Sequence, residues 1–336
     1  MTSLDFFRLA KTREEFRIPP MLLGVVFALA ACFIWGLIFV VPQFLSGFSS
    51  IEVALGRYCF YGIVSCLIFC KLKFQGRCKY PRSIWVKSLY FSLISTIGYY
   101  TFVVLALRYS TPAICALVLG ISPITIAFYG NWKQRETTFK SLILPSLLIL
   151  LGLAIINVPH LAKAASPSSY VLGLACCVMA LIAWSWYVVA NSRFLKQHPH
   201  VRSSDWSTLI GVSTLIWVII FALALSVFES NSSLDKHFAF TPELINFLLG
   251  SAILGLLCSW VGAYLWNKAS LNLPVSLAGQ LTIFETIFGV IFVYILQQQT
   301  PPFLESIGIA ILLIAIVYGI RQFSKRKGYG KELKPH

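Results

Sequence analysis

The sequence predicts an all-α polytopic membrane protein: ten transmembrane helices built as an inverted five-plus-five repeat. Three observations point there. The 336-residue chain is 58% hydrophobic and only 12% charged, whereas soluble domains are about 25% charged. Ten apolar runs come close to the roughly 20 residues needed to cross a bilayer's hydrocarbon. Segments of the first half recur in the second with the opposite loop charge. Lipid offers no partner to open backbone groups, so only helices or closed barrels span it. These runs are too long and continuous for barrel strands.

Taken in order, residues 1–20 are charged and mixed, with Arg8, Lys11, Arg13 and Arg17, and form an N-terminal segment. Run 21–41 is long enough to span and does not resemble a cleaved signal peptide. Run 51–70 is followed by Lys71, Lys73, Arg77, Lys79 and Arg82. Between runs 84–106 and 112–130 the only cation is Arg108, whereas Lys133, Arg135 and Lys140 precede run 141–158. Lys163 stands before run 169–190, and Arg193, Lys196 and Arg202 follow it. Runs 206–228 and 243–266 are parted by Lys236, and Lys268 precedes run 274–296. The link QQQTPP carries no cation, and run 303–321 leads into a basic tail, 322–336. Arg57 and Lys87 lie within or beside runs. Of the other 25 of the 27 Lys and Arg residues, only Arg108, Lys163 and Lys236 fall on one side, and 22 fall on the other. Cations collect in cytoplasmic loops, so both termini are expected in the cytoplasm. The same distribution argues against nucleic acid as the reason for the +15 net charge, because no basic face on a soluble fold is available.

The halves are 21–158 and 169–321. FIWGLIFVVPQFL (33–45) matches IAWSWYVVANSRF (182–194), with Trp35 on Trp184 and Val40 on Val189. ALRYSTPAICALVLGISPITIAFYG (106–130) and KASLNLPVSLAGQLTIFETIFGVIFV (268–293) are each a short polar link, a proline (Pro112, Pro274) and a helix rich in small residues. Five is odd, so the second half enters the membrane inverted, a pattern typical of carriers that alternate access around a midplane site. Eight of the nine cysteines lie in apolar runs without metal or disulfide spacing and read as small apolar fillers.

At these residues the chain resembles the drug/metabolite transporter superfamily in its ten-helix EamA-type branch. The carrying features are IWG (34–36), AWSW (183–186), ALGRY (54–58), the 106–128 block and its second-half partner with Glu285-Thr286, where the family often has Glu-Pro. The family's Gly-Glu after helix 9 is replaced by Gln297–Gln299, while its first-half equivalent, Glu136, is kept. The resemblance implies that helices 1–4 and 6–9 line a central cavity, that 5 and 10 stand outside it, and that the protein sits in a bacterial inner membrane. Within the superfamily, the cysteine- and aromatic-rich helices and basic ends most resemble the S-adenosylmethionine/S-adenosylhomocysteine carrier of obligate intracellular bacteria.

Glu285 is the sharpest candidate. A charge near the midplane costs about 2.5–3.5 kcal/mol on insertion scales, so it is expected to face a cavity or a partner rather than lipid. Arg57, Trp35, Trp184, Tyr99, Tyr187 and Gln280 complete the expected substrate site, with Gln43, Asn191 and Asn267 as further polar liners. Paired tryptophans can stack a planar ring or hold a cation. Trp206 and Trp266 read as interfacial belt, and Glu52 as an acid at the start of helix 2. All histidines fall in loops or the tail, and no metal or cofactor is expected. No P-loop is present. The expected function is secondary transport of a small polar organic metabolite, with S-adenosylmethionine exchanged for S-adenosylhomocysteine as the leading substrate. An amino acid, a nucleoside or a drug-type metabolite is the alternative cargo. A channel is the alternative of another class, and an intramembrane enzyme lacks a nucleophile–base pair.

Overall fold

A computed structural model describes residues 19–332 except 46, 78, 111, 162–169 and 229–240. Residues 1–18 of the expected N-terminal segment, the loop cations Lys163 and Lys236, and His237 and His336 lie outside the described residues. Ten helices are long and apolar enough to span a membrane. They are α1 (Pro20–Leu45), α2 (Ser50–Phe74), α3 (Arg82–Tyr109), α4 (Ile114–Gln134), α5 (Phe139–Asn157), α6 (Val171–Gln197), α7 (Ser203–Ala224), α8 (Pro242–Asn272), α9 (Val275–Leu296) and α10 (Phe303–Phe323). An even number of crossings brings both ends of this bundle to one face, called basal here; the other is distal.

The helices start and stop where local chemistry requires. Ser49 and Glu52 form a reciprocal cap on α2: Ser49 N–H donates to Glu52 Oε2 at 2.7 Å, and Glu52 N–H donates to Ser49 Oγ at 3.3 Å. This is the role expected of Glu52. Pro20, Pro242 and Pro274 stand at helix starts, where a missing N–H costs nothing. The turn after α4 is made by Arg135 at φ 50°, and the turn after α9 by Gln298 at φ 53°. These are the only non-glycine residues with positive φ among those described.

Packing follows a two-fold pattern. The extensive contacts pair α2 with α7, α4 with α9 and α5 with α10, and pair α1 with α8 as α3 pairs with α6. Exchanging the halves maps every one of these pairs onto another or onto itself, which fits an inverted repeat. Small residues bring the backbones close, as in other membrane bundles. A Cβ added at Gly211 of α7 would collide with Ser65 Oγ of α2, and one at Gly62 would collide with Leu215 Cβ.

Both halves interrupt their helices at corresponding places. α3 widens to a π-helix over Leu93–Gly98, and α8 does so over Leu254–Val261. α4 breaks between Gly120 and Ser122, and α9 between Leu281 and Ile283. Such segments frequently mark functional sites in membrane helices, because broken backbone is tolerated only where protein or a cavity receives it.

Candidate functional site

The interruptions surround one cavity of about 370 Å³. Its walls come from α1–α4 and α6–α9, and none of its lining residues lies on α5 or α10. It occupies the middle and distal part of the bundle: Phe39 lines it near the distal end of α1, and Tyr99, Tyr100 and Val103 line it from the later half of α3. The π-helices place Ser95, Thr96, Cys258 and Ser259 in the wall, and the broken helices place Ser122, Pro123, Thr282, Glu285 and Thr286 there.

Six of the seven expected site residues, Glu285, Arg57, Trp35, Trp184, Tyr99 and Tyr187, line this cavity. Glu285 sits one turn past the α9 break, with its N–H donating to Thr282 O at 3.0 Å. Arg57 projects from α2 and is anchored from two sides. Its Nε donates to Ser259 Oγ at 2.9 Å, and its guanidinium lies 5.3 Å from the centre of the Tyr58 ring. Arg57 and Glu285 form no ion pair with each other, so the cavity holds one cation and one anion apart. The aromatic wall is continuous. Trp35 meets Trp184 edge-on at 6.2 Å and Trp266 at 5.4 Å, and Trp184 meets Tyr99 at 5.4 Å and Tyr187 at 5.6 Å. Trp35 spends its N–H on Cys258 O at 2.8 Å, so it presents ring surface rather than a donor. Chemically, the site can bind an opposite charge at each end and a planar or cationic group between aromatic faces.

One match decides the family. The EamA-like transporter family model matches residues 22–158 and 171–320. The chain belongs to the EamA-like transporter family. It is 29% identical over 308 residues to the inner membrane protein YtfF of Escherichia coli K12, covering 90% of this chain and 96% of that one. It is 24% identical over 244 residues to a transporter of Archaeoglobus fulgidus, covering 73% and 78%. A crystal structure aligns at a TM-score of 0.69 and 18% identity, over 88% of this chain and 94% of that one, and supports the fold. This EamA-like chain is therefore a multi-pass membrane transporter of small molecules.

The site also corrects the reading from sequence. Gln280 does not line the cavity. It is 1% exposed and its Oε1 lies against Gly319 of α10. Asn191 and Asn267 are not liners either. They hydrogen-bond each other at 2.8 Å inside the second half, where Asn191 Oδ1 accepts from Trp206 Nε1 at 2.7 Å and Asn267 Nδ2 donates to Ser207 Oγ at 3.0 Å. Gln43 bonds its own helix at Phe39 O. Trp206 and Trp266 are not belt residues: they are 0% and 2% exposed, and Trp266 lines the cavity. The run 243–266 ends too early, since α8 continues to Asn272 and so carries Trp266 inward. Tyr58, Ser259 and Thr286 were missed because serine, threonine and tyrosine cost little in a membrane helix and give no sequence signal.

Proposed function

We propose that the protein is a secondary transporter of the inner membrane that moves a small amphoteric organic metabolite by alternating access. S-adenosylmethionine, exchanged for S-adenosylhomocysteine, is the leading candidate. The observation that carries this reading is Arg57 and Glu285, not ion-paired with each other, on one aromatic cavity. A zwitterion with a planar ring supplies a carboxylate for Arg57, a positive centre for Glu285 and a ring for Trp35 or Trp184. A cavity of about 370 Å³ is at the small end of the roughly 300–1,000 Å³ usual for metabolite pockets. Closure of the basal half by buried residues, Val275 to Leu281 among them, favours a carrier over a channel. The basic loops on the basal face support a cytoplasmic position for that face and for both termini. The residues 21–158 and 169–321 act as the two repeats of the cycle.

The test is uptake by proteoliposomes of radiolabelled S-adenosylmethionine, amino acids and nucleosides, with and without unlabelled S-adenosylhomocysteine inside. The expected result is saturable S-adenosylmethionine uptake accelerated by the internal partner. Uptake of an amino acid or nucleoside instead would replace the substrate and keep the mechanism. Linear flux without counterflow would remove the carrier reading.

A further inference from the structure

The helix 4–5 turn, which takes no part in the cavity, reaches across to the other half. Arg135 ends α4 in the left-handed region, its N–H donating to Asn131 O at 2.7 Å, and Asn131 Oδ1 accepts from Thr137 N–H at 2.8 Å. The turn so fixed points Glu136 at the start of α9. Its carboxylate accepts from Val275 N–H at 2.7 Å, Ser276 N–H at 2.8 Å and Ser276 Oγ–H at 2.8 Å. Lys196, at the end of α6, donates to Leu273 O at 2.9 Å and stands 3.8 Å from Glu136 Oε1. A carboxylate on the first free N–H groups of a helix makes charge-assisted bonds and meets the positive end of the helix dipole. Directly beneath, α4 and α9 are in close contact: a Cβ at Gly130 would stand 2.6 Å from Val275, and one at Gly279 would stand 2.6 Å from Ile126. Farther along, the same two helices part to line the cavity with Pro123 and Glu285.

We infer that Glu136 is a positioning residue of the transport cycle, a latch that holds α9, the helix bearing Glu285, closed against α4 on the basal face. The inference rests on the alternating-access reading. The matching left-handed turn after α9 is Gln298, and the residue in the place of Glu136 is Gln299. The opposite closure, Gln299 toward the start of α4, is therefore neutral. A charged latch on one side and an amide on the other weights the ligand-free protein toward the basal-closed state. Glu136→Gln removes that weight, and Gln299→Glu offsets it without disturbing any contact seen in the basal-closed state.

Hydrogen exchange of the full-length protein in nanodiscs, without substrate, tests the latch. The amides of 275–281 are expected to exchange about tenfold faster in Glu136→Gln, the size expected for losing a charged hydrogen bond, with the α5–α10 pair unchanged and partial rescue in Glu136→Asp. In Gln299→Glu the same amides are expected to exchange faster while those of 114–120 exchange more slowly. Wild-type protection of 275–281 in both variants overturns the inference. A uniform rise across all helices in Glu136→Gln, with Gln299→Glu identical to wild type, overturns it too, because that is the signature of a fold contact alone. Exchange is read without substrate, so a failed uptake panel and a failed latch are distinguishable.

Discussion

The two halves of the molecule share a backbone and differ in chemistry. Each has a π-helix in its third span, a break in its fourth and a left-handed residue after that break. These devices open the cavity. The charged side chains on its wall are ones that the halves do not share. The acid is on α9, where the corresponding stretch of α4 offers Ser122 and Pro123, and the cation Arg57 is on α2. The second half is also tied internally by the Asn191–Asn267–Trp206 network. The first half has only the exposed Gln43 near the place of Asn191, bonded to its own helix. On the proposed function, symmetric backbone with asymmetric charge lets one fold keep a two-state cycle while choosing a cargo with a polarity of its own.

The largest effect is expected at the acid. Glu285→Gln should reduce transport to background with normal membrane insertion, while Ser122→Ala, on the matching stretch, should leave most of it. Equal transport by Glu285→Gln and wild type would mean that the halves are chemically equivalent. Next, Asn191→Leu strands the Trp206 N–H and an Asn267 carbonyl in the interior, at about 1–3 kcal/mol for each unsatisfied group. A lower melting temperature in detergent should follow, with no such drop for Gln43→Leu; parity between the two would erase the contrast in internal stitching. Smaller again, Trp35→Ala and Trp184→Ala should weaken apparent affinity by about two- to tenfold, the scale of an aromatic contact, and lower abundance less. Equal losses of affinity and abundance would assign both rings to packing.

The smallest concerns a strap between the halves. Tyr80 Oη–H donates to Asp205 Oδ2 at 2.7 Å on the basal face, and Asp205 also binds Arg202. Burial and then the Asp205 hydrogen bond push the phenol up to about 12, above its usual value of about 10. A pKa raised by folding means the tie is complete below about pH 10 and is lost as the pH climbs toward 12. Wild-type thermal stability should therefore fall more steeply over that window than that of Tyr80→Phe. Parallel curves would show that this strap bears no load.

Much of the fold is legible in the sequence because crossing a bilayer is a demand on length, and length is one-dimensional. The ten runs fall on the ten helices. Rotation about each axis is not legible in the same way: helices such as α1 and α5 are apolar on every side, so nothing in their pattern says which face turns inward. Glu285 escapes that degeneracy because an acid in lipid is costly. Gln280, Trp206 and Trp266 cost less and lie elsewhere than the sequence predicts. The latch was hidden for a different reason. The resemblance marks Glu136 but not its partner; only the left-handed turn at Arg135 aims it at another helix, and that turn has no glycine to announce it.

The flanking pair α5 and α10 has a consequence for how such a transporter can evolve. α5 packs on both pieces of α4, and α10 packs on the first piece of α9, so the interrupted stretches rest against protein instead of acyl chains. Backbone groups freed by a break would cost several kcal/mol each in hydrocarbon. An eight-span version without this pair would have to mend its kinks or recruit a neighbouring subunit as cladding, and mending them would erase the pocket.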